Sequence, residues 1–266
     1  MVAAWLKAHA GQVWWLVFAA AAVPGLDLAL DYRAVSLGAN PLEALLHTTG
    51  RSALVLLTIT LAITPLRKLL STLSRLTARR YGKRVSDWNW LVRLRRQLGL
   101  WCFAYALAHT WLFFEFDLGR DWQRAWIEVL EKPYLAFGAL GFLALIPLAV
   151  TSTQGMMRRL GRHWRRLQML TYLVAVLVLL HFWWLVKPGN WSPLPDTLVL
   201  GVLLAYRLLL AAGALTKWEG HAGDEVPDRV TALERERSTV DVGVAVESPA
   251  LPSGTQAGTA PGFRCA

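Results

Sequence analysis

Five ionisable side chains stand in otherwise apolar runs of the sequence: His47, Arg51, His109, His181 and Arg207. An ionisable group in an apolar helix is costly to keep, and where it persists it usually serves ion, proton or electron traffic. A neutral imidazole in a dry setting can give one nitrogen lone pair to a metal, or exchange hydrogen bonds across a helix interface. Two imidazoles on facing helices could ligate one porphyrin iron from opposite faces, as a b-type haem requires. Ligation and plain hydrogen bonding both stay open on residue type alone. Other chemistries are excluded. There is no CxxCH or CxxC, and Cys102 and Cys265 imply no disulfide framework. Without HExxH or GxSxG there is no recognisable hydrolytic machinery, and without GxGxxG or Walker A no nucleotide-binding domain.

The elements that must position these residues are membrane helices. Of 266 residues, 55% are hydrophobic and only 17% charged, yet the net charge is +10. A soluble chain carries about a quarter charged residues, so the deficit points to lipid as solvent. Six segments have the roughly 20 apolar residues that crossing needs: 12–30, 46–65, 97–116, 134–151, 168–186 and 197–216. The expected fold is an all-α polytopic bundle of about six transmembrane helices over residues 1–219, followed by a disordered cytoplasmic tail, 220–266. Lys7 and the apolar run after it also suit a cleaved signal peptide, which would leave the later spans unchanged.

Charge sets the expected orientation. Residues 66–96 hold ten basic side chains against Asp87 alone, and 152–167 hold five arginines and no acid. By contrast, 117–133 holds three basic and four acidic residues, and 31–45 one and two. The basic connections belong in the cytoplasm, with both termini. The 66–96 run reads as a topogenic loop lying against lipid; no nucleic-acid partner is expected.

Depth then distinguishes two of the histidines. His109 lies 13 residues beyond Arg96 and His181 15 beyond Arg166, about 20 and 22 Å along their helices. Two helices running the same way thus carry imidazoles at matched depth, in the periplasmic half. Tyr105, Phe113 and Trp184 stand one turn away and suit a porphyrin edge, while Gly138 and Gly141 allow close approach. His47 is a weaker third ligand candidate. Arg51 either pairs with an anionic cofactor group or snorkels to the head groups. Arg207 must be paired or snorkel, and His163 sits among solvated arginines. A small-solute or proton transporter, with these groups lining a polar path, is the competing class.

The stretches "HTTGRSALVLLTITLAITPLRKL", "RRQLGLWCFAYALAHTWLFF", "KPYLAFG" and "TSTQGMMRRLGRHWRRLQMLTYLVAVLVLLHFWWLVK" closely resemble the MsrQ (YedZ) family, within the ferric-reductase-like transmembrane group. The resemblance covers about 10–216. It implies an electron-transfer subunit that takes electrons from the quinone pool, carries them on haem b, and delivers them to a periplasmic molybdopterin-containing partner that reduces oxidised methionine. FMN is a further cofactor it implies. His109 and His181 match the family's haem-ligating positions, and His47 and Arg51 its HxTGR block. Where relatives carry another histidine near the start of the fifth span this chain has Gln168, and an amide is a poor iron ligand. One haem rather than two is therefore expected.

Overall fold

A computed structural model describes Trp5 and residues 8–34, 38–77 and 84–224, with 214–224 as backbone only. The chain divides into two units, 1–209 and 210–266; the packing described below belongs to the first. The tail expected from 220 continues a helix to Asp224 and otherwise lies outside the described residues.

Among the described residues there are helices and no strands. They are α1 (Ala10–Arg33), α2 (Pro41–Leu76), α3 (Trp90–Leu112), α4 (Trp122–Glu131), α5 (Pro133–Val150), two short helices α6 (Gln154–Leu160) and α7 (Arg162–Leu167), α8 (Leu170–Leu185) and α9 (Leu194–Asp224). A 3₁₀ turn, Val85–Trp88, leads into α3, and a π turn, Phe113–Asp117, ends it. Local chemistry sets several ends. Pro41 and Pro133 open α2 and α5, where a missing N–H costs nothing. Asn40 caps α2 through the Glu43 amide, and Thr153 caps α6 through that of Met156. Gly161, at φ 49°, separates α6 from α7.

Five helical stretches are long and apolar enough to cross a membrane: Ala10–Arg33, Pro41–Leu76, Pro133–Val150, Arg162–Leu185 and Leu194–Gly213. The remaining expected span, 97–116, corresponds to α3, which has the length but is diluted by Arg93, Arg95, Arg96, Gln97 and His109. Its neighbours explain the tolerance, since α3 packs against α1, α2 and α5. A helix enclosed by others presents little surface to lipid and so needs less apolarity. Elsewhere the apolar residues point outward. Leu69, Leu143, Val202 and Leu208 are all exposed, as a bundle dissolved in lipid requires.

Contacts fix the helix directions. The start of α2 meets the end of α3, and the start of α5 meets the end of α8. Trp14 meets Gln97 and Ala21 meets Tyr105, so α1 runs alongside α3 in the same sense. The 66–96 and 152–167 connections consequently share one end of the bundle, here the basic end. α2 overhangs it: 36 residues rise about 54 Å against a hydrocarbon core of about 30 Å. The interior is lined by Leu57 and Leu61 of α2, Leu98 and Cys102 of α3, and Val174 and Ala175 of α8. Hydroxyls inside the spans bond back to their own helices, as Thr58 does to Leu54 and Thr60 to Leu56.

Tyr105 behaves differently from its sequence-based expectation. Its ring turns to α1 rather than joining the His109 face. The hydroxyl donates to the Ala21 carbonyl at 2.8 Å and accepts from the Gly25 amide at 2.9 Å. Those two groups would pair with each other in an unbroken helix. Pro24 lies between them, and a side chain inserted into the ladder at a proline is a recognised way to accommodate a kink. A Cβ at position 25 would stand 3.2 Å from that hydroxyl, so glycine leaves the room.

The 117–133 connection holds an ordered helix where a loop is expected. Asp121 caps α4 by accepting from the Gln123 and Arg124 amides. Trp122, Trp126, Ile127 and Leu130 leave one exposed apolar face, an arrangement suited to the head-group region. Glu128 bonds Lys132 at 3.0 Å and Arg124 at 2.9 Å. Those cations, Lys132 first, hold its carboxyl below the usual carboxylate range.

Tyr105→Phe is expected to destabilise the bundle by about 1–3 kcal/mol, since it strips partners from two backbone groups; thermal unfolding of the two proteins in one detergent measures this. Glu128's folded-state pKa is depressed, so its contribution is present at neutral pH and lost as pH falls through the carboxylate range. Amide exchange across 122–131, corrected for intrinsic rate, should therefore accelerate on acidification more in wild type than in Glu128→Gln.

Candidate functional site

His109 and His181 come together. Their ring centroids are 6.3 Å apart and their planes stand at 89°. α3 and α8 each bring one ring to the end of the bundle opposite the basic loops. Neither histidine is paired with a side-chain acid. Both bond to main chain instead: His109 Nδ1 is 3.0 Å from the Leu46 carbonyl, and His181 Nδ1 is 2.7 Å from that of Tyr134. A carbonyl only accepts, so each Nδ1 carries the hydrogen and each Nε2 is left with its lone pair. Thr49 Oγ1, at 3.4 Å from His109 Nδ1, adds a longer contact. Its own hydrogen is committed to the Leu45 carbonyl at 2.7 Å.

The two bonds use the same local device. A helix carbonyl is normally screened by the side chain four residues on, because helical side chains lean toward the N-terminus. Four residues after Leu46 is Gly50, and four after Tyr134 is Gly138. A Cβ on Gly50 would stand 3.2 Å from the His109 ring, and one on Gly138 only 2.8 Å from His181 Nδ1. Each imidazole thus lies in a notch that glycine opens and reaches the carbonyl beneath. The α2–α3 and α5–α8 pairs repeat this geometry without repeating sequence. A Cβ on Gly141, one turn on, would meet Leu177 and Val178 only at ordinary contact distance.

The residues present fit a metalloporphyrin held from two sides. Rings sharing one metal through a nitrogen each, at metal–nitrogen bonds of about 2 Å, have centroids about 6 Å apart. A hydrogen-bonded Nδ1 is also the usual second-shell restraint on a ligating imidazole. Among the described residues no group of three or more His, Cys, Asp or Glu could hold a bare metal ion. Two imidazoles are nevertheless enough when a macrocycle supplies the other donors. Aromatic rings stand on the same helices as the pair. Tyr134 has its centroid 6.2 Å from His181, Phe137 packs on Trp184 at 5.3 Å, and Phe103 stacks on Phe142 at 6.0 Å toward the basic end.

The other sequence-derived candidates lie outside this pair. His47 is exposed on α2. Arg51 forms an ion pair with Asp196 at the start of α9, an acid that its own span did not reveal. Glu115 pairs with Arg120 rather than approaching an imidazole. Gln168 is partly buried near the basic end, and His163 is exposed. The carbonyls of Leu46 and Tyr134 escaped sequence reading because main-chain acceptors have no residue signature; their only trace is the glycine four positions later.

A family model described as ferric reductase like transmembrane component matches residues 49–179, a range that contains His109, Gly50 and Gly138 and ends two residues before His181. Among curated relatives, the protein-methionine-sulfoxide reductase heme-binding subunit MsrQ of Xanthomonas axonopodis pv. citri is 44% identical over 173 residues, 65% of this chain and 72% of that protein. The MsrQ subunit of Herminiimonas arsenicoxydans is 40% identical over 196 residues, covering 73% and 82%. No solved structure matches. With the helical membrane bundle in place and its aligned length covering most of these relatives, the chain belongs to the MsrQ family of ferric-reductase-like transmembrane proteins.

Proposed function

We propose that this protein is the membrane electron carrier of a methionine sulfoxide reductase system, holding one haem b between His109 and His181. The observation that carries the reading is the pairing of two imidazoles 6.3 Å apart, each with Nδ1 tied to a helix carbonyl and Nε2 free to ligate. When bound, the haem iron supplies a one-electron couple inside the bilayer. The chain's own residues do the rest. The Leu46 and Tyr134 carbonyls fix tautomer and ring angle. Gly50 and Gly138 admit the rings. Phe137, Phe142 and Phe103 exclude water.

The basic loops put 66–96 and 152–167 in the cytoplasm by the positive-inside rule, with both termini, in a bacterial inner membrane. The imidazole pair then lies in the periplasmic half. Electrons enter from the quinol pool and leave to a periplasmic molybdopterin-containing reductase, on which oxidised methionine is repaired. The relatives named above are heme-binding subunits of protein-methionine-sulfoxide reductase, which supports this assignment. Loops 31–45, 117–133 and 187–196 face that partner. Arg51 and His47, at the same end, would be the residues to hold an anionic group of the haem, with Asp196 competing for the guanidinium. FMN is a second cofactor of this reading. Gln168 supports a single haem.

Purified protein should show a low-spin haem b spectrum that sharpens on reduction, with haem near one per chain by pyridine haemochrome against amino-acid analysis. His109→Ala and His181→Ala should each abolish the low-spin species, and His47→Ala should weaken or shift it. Haem content in the double variant equal to wild type would refute the ligand assignment, and a colourless folded protein would favour a transporter. Gly138→Ala drives a methyl into the His181 ring, so it should lower haem retention about ten- to a hundredfold, the usual effect of losing a second-shell restraint. Haem loss to apomyoglobin measures it. Gly141→Ala, at a site with ordinary contacts, serves as control.

A further inference from the structure

At the opposite end of the bundle, two arginines meet without an acid. Arg95 of α3 lies close enough to Arg207 of α9 for the two charges to interact, with the Tyr172 side chain of α8 beside them. Arg207 sits over the Tyr172 ring, 5.8 Å from its centroid. Its Nε and one terminal nitrogen are buried without a hydrogen-bond partner. The Gln168 side-chain nitrogen, one turn before Tyr172, is buried and unpartnered too. No Asp or Glu occurs in α3, α8 or residues 197–213 of α9. Asp196 is committed to Arg51 at the far end.

Two permanent positive charges placed together inside a membrane protein need a counterion, because like charges in a low-dielectric setting are costly alone. Guanidinium forks match the oxygens of phosphate. A phosphate monoester carries about −1.5 to −2 at neutral pH and so neutralises both arginines, where a carboxylate neutralises one. The spot is also separate from the imidazole pair: Tyr172 is nine residues before His181, about 13 Å along α8. We propose that Arg95, Arg207 and Tyr172 form a binding site for a phosphate-bearing anion, with Gln168 as an additional donor at its edge. The phosphate comes either from a soluble monoester such as a flavin mononucleotide or from a lipid headgroup that is itself a phosphate monoester, as in a phosphatidic acid. The first alternative deepens the reading in which FMN is bound; the anion site itself does not depend on haem.

The test uses the full chain in phosphatidylcholine nanodiscs. FMN and riboflavin, the same ring without phosphate, are titrated by fluorescence anisotropy, and native mass spectrometry of the detergent-purified protein identifies retained phospholipid. For a soluble monoester, FMN binds, riboflavin does not, and Arg207→Gln weakens FMN about ten- to a hundredfold. For a headgroup, FMN fails to bind, wild type retains an anionic phospholipid, and Arg207→Gln loses it. Arg95→Gln should act in the same direction. Arg207→Lys, which keeps the charge but not the fork, should fall between and covers the case in which Arg207→Gln does not fold. Wild type without any phosphate-bearing ligand, or variants retaining it equally, would overturn the site. Because the haem spectrum is read at the other end of the bundle, loss of the anion with that spectrum intact separates this proposal from the ligand assignment.

Discussion

An imidazole N–H donated to a helix carbonyl is the interaction on which the site depends. Among the described residues no carboxylate bonds either histidine, and in lipid there is no bulk water to orient them. A backbone carbonyl four residues before a glycine supplies the missing acceptor. Its position is set by the helix, with no side-chain rotamer to order, so the restraint carries little entropic cost. The same arrangement on α2–α3 and α5–α8 produces two rings with their Nδ1 atoms engaged and a separation suited to one shared metal.

The second constraint is the distribution of charge along the bundle. One end carries the basic connections and, within the helices, Arg95 and Arg207. The other carries the imidazole pair and the Arg51–Asp196 ion pair. α3 joins the two ends, and it tolerates its polar groups because it packs against α1, α2 and α5. Tyr105, which bridges the opened backbone of α1 at Pro24, is part of the shielding that holds α1 there.

Much of this was legible in the sequence. Length and apolarity of the runs located the helices, and counting residues from the flanking arginines put His109 and His181 level before any coordinates. Gly138 was readable as a point of close approach. What stayed hidden had physical reasons. Tyr105 is one turn from His109, yet helical spacing says only which positions neighbour each other, and two backbone groups of α1 beside Pro24 drew its hydroxyl there. Arg51 found its acid 145 positions away, a pairing no local pattern encodes. α4 was missed because ten residues with a single apolar face resemble a charged loop until Asp121 is recognised as a cap. Leu46 and Tyr134 were invisible as participants because what they contribute is not their side chain.

That last point bears on how such a protein can drift through evolution. No substitution deletes a peptide oxygen, so positions 46 and 134 are free to exchange one lipophilic residue for another while the rings above them stay anchored. In the proposed reading the cradle's demands on side-chain identity then fall on four letters of the chain, two histidines and two glycines, while the peptide oxygens beneath the rings come with any residue.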